Sequence, residues 1–355
     1  MKVLQICGAQ HAGGAEAHFL RFCIELNRFE GIEVIALVRK GSWLEEQLGR
    51  SDIKTYPLGF RSSFDLITRY RIKKISYLEK ADIIQCWMNR AASLTPKTGH
   101  GAKIGRLGGY YALKYYKSMD WLVGATEDLC QHIKEAGWNP AHLSCIPNFV
   151  NLPAAKDPME SEQLRKTMGL TGKTVIITPA RLHSVKGLDT AIQAIKLLPE
   201  HYVYLIVGTG PEESHLKQLT ETLGVQHRVI FTGWQNNISD FCYGSDIFLV
   251  PSRHEPFGSV LLEAWSHQLP LITSDSQGAL AITEHNRTCL MYDKHSATAL
   301  KEAVMTLAAD DALMQALITQ GYQELLARYT AKPVLNQYID TYAKASHAEQ
   351  TGRGE

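Results

Sequence analysis

Four loops along this chain carry residue types suited to a charged, hydroxyl-rich ligand. The most informative runs Pro251-Ser252-Arg253-His254-Glu255-Pro256-Phe257-Gly258-Ser259-Val260, with Glu263 three residues on. An apolar run at 247–250 precedes it and a helical pattern follows, so Glu255 falls in a strand-to-helix loop and Glu263 about one turn into the helix. Gly258 and Ser259 mark the helix start, where unpaired N–H groups and the helix dipole favour phosphate. Two carboxylates flanking one helix mouth suit hydrogen bonds from sugar and ribose hydroxyls. Their spacing carries little by itself, because 36 acidic residues in 355 give about four chance pairs at any one separation. Position on the strand–loop–helix junction is what raises them.

A second loop, Ala180-Arg181-Leu182-His183-Ser184-Val185-Lys186-Gly187, follows the run ending at Pro179. Its two cations could clamp a diphosphate, Arg181 through its fork and Lys186 as a point charge; two ordinary surface charges would read the same. The third loop, around Gly208 and Gly210, has Pro211 and Glu212 in the position of a first helical turn, and helix-start chemistry alone would account for it. The fourth lies at the front of the chain, where Gly8 through Gly13, Gly14 and Glu16 follow the first apolar run. Glycines there would let the backbone approach a ligand closely. The pattern is not the G-x-G-x-x-G of dinucleotide enzymes, which weakens an oxidoreductase reading.

Parallel strands alternating with helices would place these loops together. Short apolar runs at 2–7, 32–38, 83–86 and 121–123 are separated by helical patterns at 15–28 and 127–136. Near-continuous apolar strands between amphipathic helices are what a parallel sheet covered on both faces requires, so the class is α/β, doubly wound. Residues 147–158 hold three prolines and no periodicity, and read as a linker. The alternation restarts at 175–178 and continues at 202–207, 229–231, 247–250 and 271–273. A length of 355 residues also exceeds what one core usually supports. The expectation is a first domain over 1–150, a second over 151–330 and a disordered tail over 347–355.

Composition narrows the function classes. No window approaches the ~18–20 apolar residues of a membrane span, and the apolar stretch at the N-terminus is too short for a signal peptide. Seven scattered cysteines without a C-x-x-C pair fit a reduced, cytoplasmic chain better than a disulfide frame or zinc site. No Asp-x-Asp cluster suggests a divalent metal site. The net charge of +1 divides into +6 for residues 1–150 and −5 for the remainder. Phe64 to Ile75 reads as a basic amphipathic helix with Arg69, Arg71, Lys73 and Lys74 beside Leu66, Ile67, Ile72 and Ile75. Tyr110, Lys114 and Lys117 follow in the same half. Such a helix suits peripheral attachment to an anionic membrane surface, or is simply solvated. An acidic second half without a recognised module argues against nucleic acid.

The runs Arg181…Lys186-Gly187, Gly208-Thr209-Gly210-Pro211-Glu212, Phe231-Thr232-Gly233-Trp234 and Glu255…Glu263-Ala264 resemble family four of the retaining GT-B glycosyltransferases. Gly13-Gly14-Ala15-Glu16 and Pro147-Asn148-Phe149-Val150 match that family's front-half signatures. The resemblance spans about residues 3–345, and bacterial members that build lipopolysaccharide core and other surface glycans are most similar. It implies a GT-B fold: two Rossmann-like domains facing each other across a cleft, with a last helix (about 331–346, carrying Val334, Tyr338, Ile339 and Tyr342 on one face) returning to the first domain. It implies retaining transfer of a hexose-type sugar from a nucleotide-diphosphate sugar, UDP-sugar favoured, to a glycan or lipid-linked acceptor, without cofactor or metal. Arg181 and Lys186 would neutralise the departing diphosphate, Glu255 would hold the transferred sugar and Glu263 the ribose. Backbone N–H groups of Phe257, Gly258 and Ser259 would contact phosphates and sugar, with Gly13, Gly14, Gly208, Gly210, His254 and Val260 completing the donor set.

One departure stands out. Family members often carry a front-domain histidine near the transferred sugar, and no position here matches it securely. Glu16, Asn89, His100 and Arg106 are the acceptor or sugar-contact candidates. Three alternatives stay open: a sugar-nucleotide epimerase of the same architecture, a glycan phosphorylase with a pyridoxal-bearing lysine, and a non-catalytic sugar-nucleotide-binding protein.

Overall fold

The structure is a computed structural model and describes residues 1–62, 64–155, 158–235 and 237–352. The chain divides into two units: Met1–Phe149 together with everything from Ala331 onward, and Val150–Thr330. The first unit is built from β1 (Lys2–Cys7), α1 (Gly14–Asn27), β2 (Glu33–Arg39), α2 (Trp43–Leu48), β3 (Lys54–Leu58) and α3 (Leu66–Glu79). Then come β4 (Ile83–Trp87), α4 (Met88–Leu94), β5 (Ala102–Leu107), β6 (Trp121–Gly124), α5 (Glu127–Glu135) and β7 (Leu143–Cys145). The second unit holds α6 (Pro158–Thr167), β8 (Thr174–Pro179), α7 (Leu188–Leu197), β9 (Tyr202–Val207), α8 (Glu213–Leu223), β10 (Val229–Phe231) and α9 (Ser239–Tyr243). It continues through β11 (Ile247–Val250), α10 (Ser259–Ser266), β12 (Leu271–Ser274), α11 (Gln277–Ile282), β13 (Leu290–Tyr292), α12 (Ala297–Ala309) and α13 (Asp311–Arg328). A last helix, α14 (Ala331–Gly352), belongs to the first unit.

Each unit has one sheet, in the order β3-β2-β1-β4-β5-β6-β7 and β10-β9-β8-β11-β12-β13. Every strand pair in both is parallel. The strand order reverses between β1 and β4, and between β8 and β11. In open parallel sheets ligands bind outside the carboxyl ends of the strands at that reversal, so the loops after these four strands are the candidate sites. Burial explains the strands: all of β9 and β4, and β1 beyond Lys2, are covered on both faces, which selects β-branched and apolar residues.

Four strands were not expected: β3, β5, β7 and β13. β3 contains Pro57, which is tolerated because β3 lies at the sheet edge. β5 is fully buried yet carries Lys103 and Arg106, which break the apolar run that marks its neighbours. The side chain of Lys103 is held by the Gly101 carbonyl at 3.1 Å and by Asp120 at 3.7 Å.

Helix α14 completes the first core. Val334, Leu335, Tyr338, Tyr342 and Ala345 are fully buried there with Phe19, Phe22, Leu26 and Trp87. A chain of side-chain bonds threads this core: Trp87 Nε1 donates to Gln5 Oε1 at 2.7 Å, Gln5 Nε2 to the Tyr342 hydroxyl at 3.2 Å, and that hydroxyl to Gln85 Oε1 at 2.5 Å. The helix runs on to Gly352, which corrects the expected disorder from residue 347; residues 353–355 lie outside the described residues.

Arg106 enters the same core with only 4 % of its surface exposed. Its guanidinium lies over the Trp87 ring at 4.6 Å, donates from Nε to the Tyr338 hydroxyl at 3.1 Å and from Nη2 to Asn148, and pairs with no carboxylate among the described residues. Beside it His18 is buried among Phe22, Trp87 and Phe149, at ring separations of 6.4, 5.5 and 5.3 Å. Burial, then the Arg106 and Arg21 cations, hold this imidazole well below the ordinary histidine pKa of 6.5.

Two outcomes follow from this core. Tyr342→Ala is expected to destabilise the first unit by about 3–5 kcal/mol in denaturant titration, since it empties a ring-sized space and strands two buried amides; Tyr342→Phe should lose much less. His18 stays neutral in the native state, so below pH 6.5 the unfolded chain binds its proton first and stability falls as pH drops. Wild type should therefore lose up to about 1.4 kcal/mol per pH unit more than His18→Leu as pH falls from 6.5, read from paired denaturation curves.

Candidate active site

The second unit's site is sewn together by backbone. The loop after β8 lies beside the one after β9: Ala180 N–H donates to Val207 O at 2.9 Å, Leu182 N–H to Thr209 O at 3.0 Å, and Glu212 N–H to Leu182 O at 3.1 Å. A side chain at Gly208 or Gly210 would strike the Ala180 or Leu182 carbonyl, so these glycines are fixed by close approach. The loop after β11 joins from the other side, with Arg253 N–H on Val185 O at 2.8 Å and Gly278 N–H on Glu255 O at 2.7 Å. Gly187 caps the 184–186 turn at φ +64°, and a Cβ there would strike the Pro251 carbonyl.

This stitching brings together two of the predicted residues. Lys186 Nζ and Glu255 Oε2 form an ion pair at 2.5 Å, with only 22 % and 14 % of their side chains exposed. They lie 69 positions apart in the chain; the fold makes them neighbours. Arg181 projects from the same loop, exposed and without a side-chain hydrogen bond or ion pair among the described residues. Phe257 is buried against Tyr329, and Gly258 opens α10 at φ +84° without a side chain to cap it. The N-cap glycine supplies no capping oxygen to the first turn of α10, the kind of helix start that can take up an anion. Glu263 sits half-buried on α10, Ser259 and Val260 at its start, and His254 is exposed on the loop.

Arg253 is the residue sequence reasoning passed over. Its guanidinium donates to the Ser184 carbonyl at 2.9 Å, Asp189 Oδ2 at 2.6 Å and Thr190 Oγ1 at 2.9 Å, bracing the Lys186 loop against the Glu255 loop. It stands inside the quoted run, but nothing in the run marks it as a brace; Asp189 and Thr190 lie more than sixty positions away.

In the first unit the reversal-point loops collect a second polar group. Gly13 ends an extended segment at φ −170° and Gly14 opens α1, with nothing within 4 Å of a side chain built at Gly14. Burial pushes the half-buried Glu16 carboxyl above its ordinary pKa. Asn89 follows Met88, whose φ of +62° is strained for a residue with a side chain, and the buried Asn89 Oδ1 has no hydrogen-bond donor. Arg106 closes the group at the carboxyl end of β5.

His100 does not belong to it. Its Nδ1 lies 2.8 Å from the Ala81 carbonyl and its ring packs on Tyr77, at the amino-terminal edge where the chain enters β5. The 96–101 segment returns from the end of α4 to the start of β5, which carries His100 away from the ligand edge. The histidine beside Arg106 is instead His18, on α1, where a search behind the fourth and fifth strands could not meet it. Among the described residues no three His, Cys, Asp or Glu side chains gather as a metal site requires.

Comparison with known proteins places the chain in a family. Residues 160–324 match the family model for glycosyl transferases group 1. The lipopolysaccharide core biosynthesis glycosyltransferase LpsD of Rhizobium meliloti is 32% identical over 346 residues, covering 96% of this chain and 98% of its own. LpsE of the same organism is 28% identical over 93% of this chain and 96% of its own. Among solved structures, a glycosyltransferase from Rickettsia africae covers 97% of this chain and 98% of its own, with a TM-score of 0.86 at 20% identity. Anabaena HepE in complex with UDP-glucose covers 97% and 100%, with a TM-score of 0.84 at 17% identity. Full-length similarity to LpsD, with the Lys186–Glu255 junction inside the matched segment, makes the chain a member of the group 1 glycosyl transferases, an enzyme of that class with the GT-B fold of two Rossmann-like domains.

Proposed function

We propose that this enzyme moves a hexose-type sugar from a nucleotide-diphosphate sugar, a UDP-sugar above all, onto a glycan or lipid-linked acceptor of lipopolysaccharide core, with retention of anomeric configuration. The observation that carries the reading is the Lys186–Glu255 pair at the strand-order reversal beside the uncapped start of α10. Support for the pathway comes from LpsD and LpsE, which are lipopolysaccharide core biosynthesis glycosyltransferases, and for the donor from HepE, which binds UDP and UDP-glucose.

An arriving diphosphate competes with Glu255 for Lys186 and releases the carboxylate to accept hydroxyl hydrogens of the sugar. Glu263, one turn into α10, takes the ribose hydroxyls. As the bond between the anomeric carbon and the diphosphate oxygen breaks, its electron pair passes to that oxygen. Arg181, Lys186 and the first-turn N–H groups of α10 stabilise the developing charge, so the reaction requires no metal. The acceptor hydroxyl attacks from the face the diphosphate leaves and gives its proton to the departing oxygen.

A lipopolysaccharide acceptor is a lipid-borne glycan, so the enzyme works at a membrane surface. Among the described residues no helix is long and apolar enough to cross one. Attachment is peripheral, on the cytoplasmic face, through α3. That helix presents Leu66, Ile67 and Tyr70, which are 76%, 71% and 65% exposed, among Arg69, Arg71 and Lys74. Ile72 and Ile75, grouped from sequence with Leu66 and Ile67 beside the cations, are buried in the core.

Arg181→Ala and Lys186→Met should each slow transfer about a hundredfold, roughly 3 kcal/mol of barrier, with circular dichroism unchanged. Wild-type turnover in both folded variants would remove the diphosphate-clamp assignment. Thermal-shift screening against sugar nucleotides, then proton NMR of the early product in EDTA, tests the reaction itself. Retained configuration with activity preserved is expected. An inverted anomer would overturn retention and loss of activity in chelator would overturn metal independence. Epimer formation, or donor binding without turnover, would replace the transferase reading.

A further inference from the structure

Away from the strand-order reversals, the first unit carries an open cavity of about 340 Å³. Leu66, Arg69, Tyr70 and Lys73 form one wall, at the i, i+3, i+4 and i+7 positions of one face of α3. Pro96, Lys97 and Thr98, from the segment after α4, form the other. Three cations from two elements thus line one cavity, and no acid does. None of Arg69, Lys73 or Lys97 makes a side-chain hydrogen bond or ion pair among the described residues. The acids of this region are engaged elsewhere: Asp65 accepts the N–H groups of Thr68 and Arg61, both at 3.0 Å, and Glu79 is bound by Lys54 at 2.7 Å and by Tyr56.

Uncompensated cations around a cavity select an anion, and clustered donors of this kind match phosphate oxygens. The rim selects what bears it. Leu66 and Tyr70, which line the cavity, stand 76% and 65% exposed, and Phe64 and Ile67, near them in sequence, 88% and 71%. Apolar surface of that extent gains about 25 cal/mol per Å² on leaving water. A soluble phosphate would leave it wet; a lipid would cover it.

We propose that the cavity between α3 and residues 96–98 seats the phosphate of an anionic membrane lipid, with Arg69, Lys73 and Lys97 around the phosphate and Phe64, Leu66 and Ile67 against the lipid interface. This rests on the membrane-surface reading above and adds a discrete headgroup site to it. Arg71 and Lys74, on the same helix, lie outside the cavity and contribute only diffuse attraction.

The full-length enzyme, its Lys73→Gln and Lys97→Gln variants, and the Arg71→Gln and Lys74→Gln variants are floated with phosphatidylcholine vesicles, with and without phosphatidylglycerol. All four substitutions remove one surface charge, so diffuse attraction predicts a similar loss for each, about fivefold. The site predicts at least tenfold for Lys73→Gln and Lys97→Gln, and no more than the diffuse loss for the other two. Equal losses in all four, or no loss in Lys97→Gln, would overturn it. Phosphorus NMR with inorganic phosphate separates the sources: saturable phosphate binding without vesicle binding assigns the cavity to a soluble phosphorylated ligand and overturns the lipid. Thermal shift with UDP-glucose is run on every protein. Its absence in wild type would fail the UDP-sugar donor reading while leaving the vesicle result standing, and its persistence beside absent vesicle binding would fail the cavity alone.

Discussion

The Val185 carbonyl, which accepts the Arg253 N–H at 2.8 Å, is the contact on which the second unit's site depends. It ties the loop after β8 to the loop after β11 across the point where strand order reverses. Without that tie Lys186 and Glu255 would be two exposed charges on separate loops. With it they meet at 2.5 Å, largely out of water, where an ion pair is screened far less than at a surface. Arg253 reinforces the tie with its side chain as well as its backbone, bonding the Ser184 carbonyl and Asp189.

An ion pair in that place is a poised arrangement. A partly buried lysine and glutamate neutralise each other, which spares the loop junction an isolated buried charge. Exposed Arg181 adds a cation that has no internal competitor among the described residues. The start of α10 adds N–H groups that glycine leaves uncapped. Three sources of positive potential thus come from three kinds of structure: a paired side chain, a free side chain and a helix end.

The first unit solves a different problem. It buries a guanidinium, Arg106, by stacking it on Trp87 and bonding it to Tyr338, a residue of the last helix. The aromatic core and α14 are therefore electrostatically as well as sterically linked, and a neutral His18 tolerates the neighbouring cation because burial has already removed its proton. The basic excess of this half falls instead on its surface, where α3 turns Ile72 and Ile75 inward and its cations outward.

Sequence by itself determined the alternation of strands and helices, the break near residue 150, and the loops in which chemistry would lie. Those features are local: strand runs, glycine turns and helix starts are written in neighbouring residues. It also carried the family resemblance, through runs that stay contiguous in the chain. Only the tertiary structure decided which distant side chains meet. It showed β5 as a buried strand despite Lys103 and Arg106, because their partners Asp120, Asn148 and Tyr338 lie 17, 42 and 232 positions away. It sent His100 to the amino-terminal edge and placed His18 beside Arg106, since strand direction, not residue type, fixes the edge at which a loop emerges. It assembled the cavity of α3 with residues 96–98, whose cations come from segments some 25 residues apart. Local patterns encode which element forms; the pairing of charges across elements depends on sheet order, and no spacing in the chain records it.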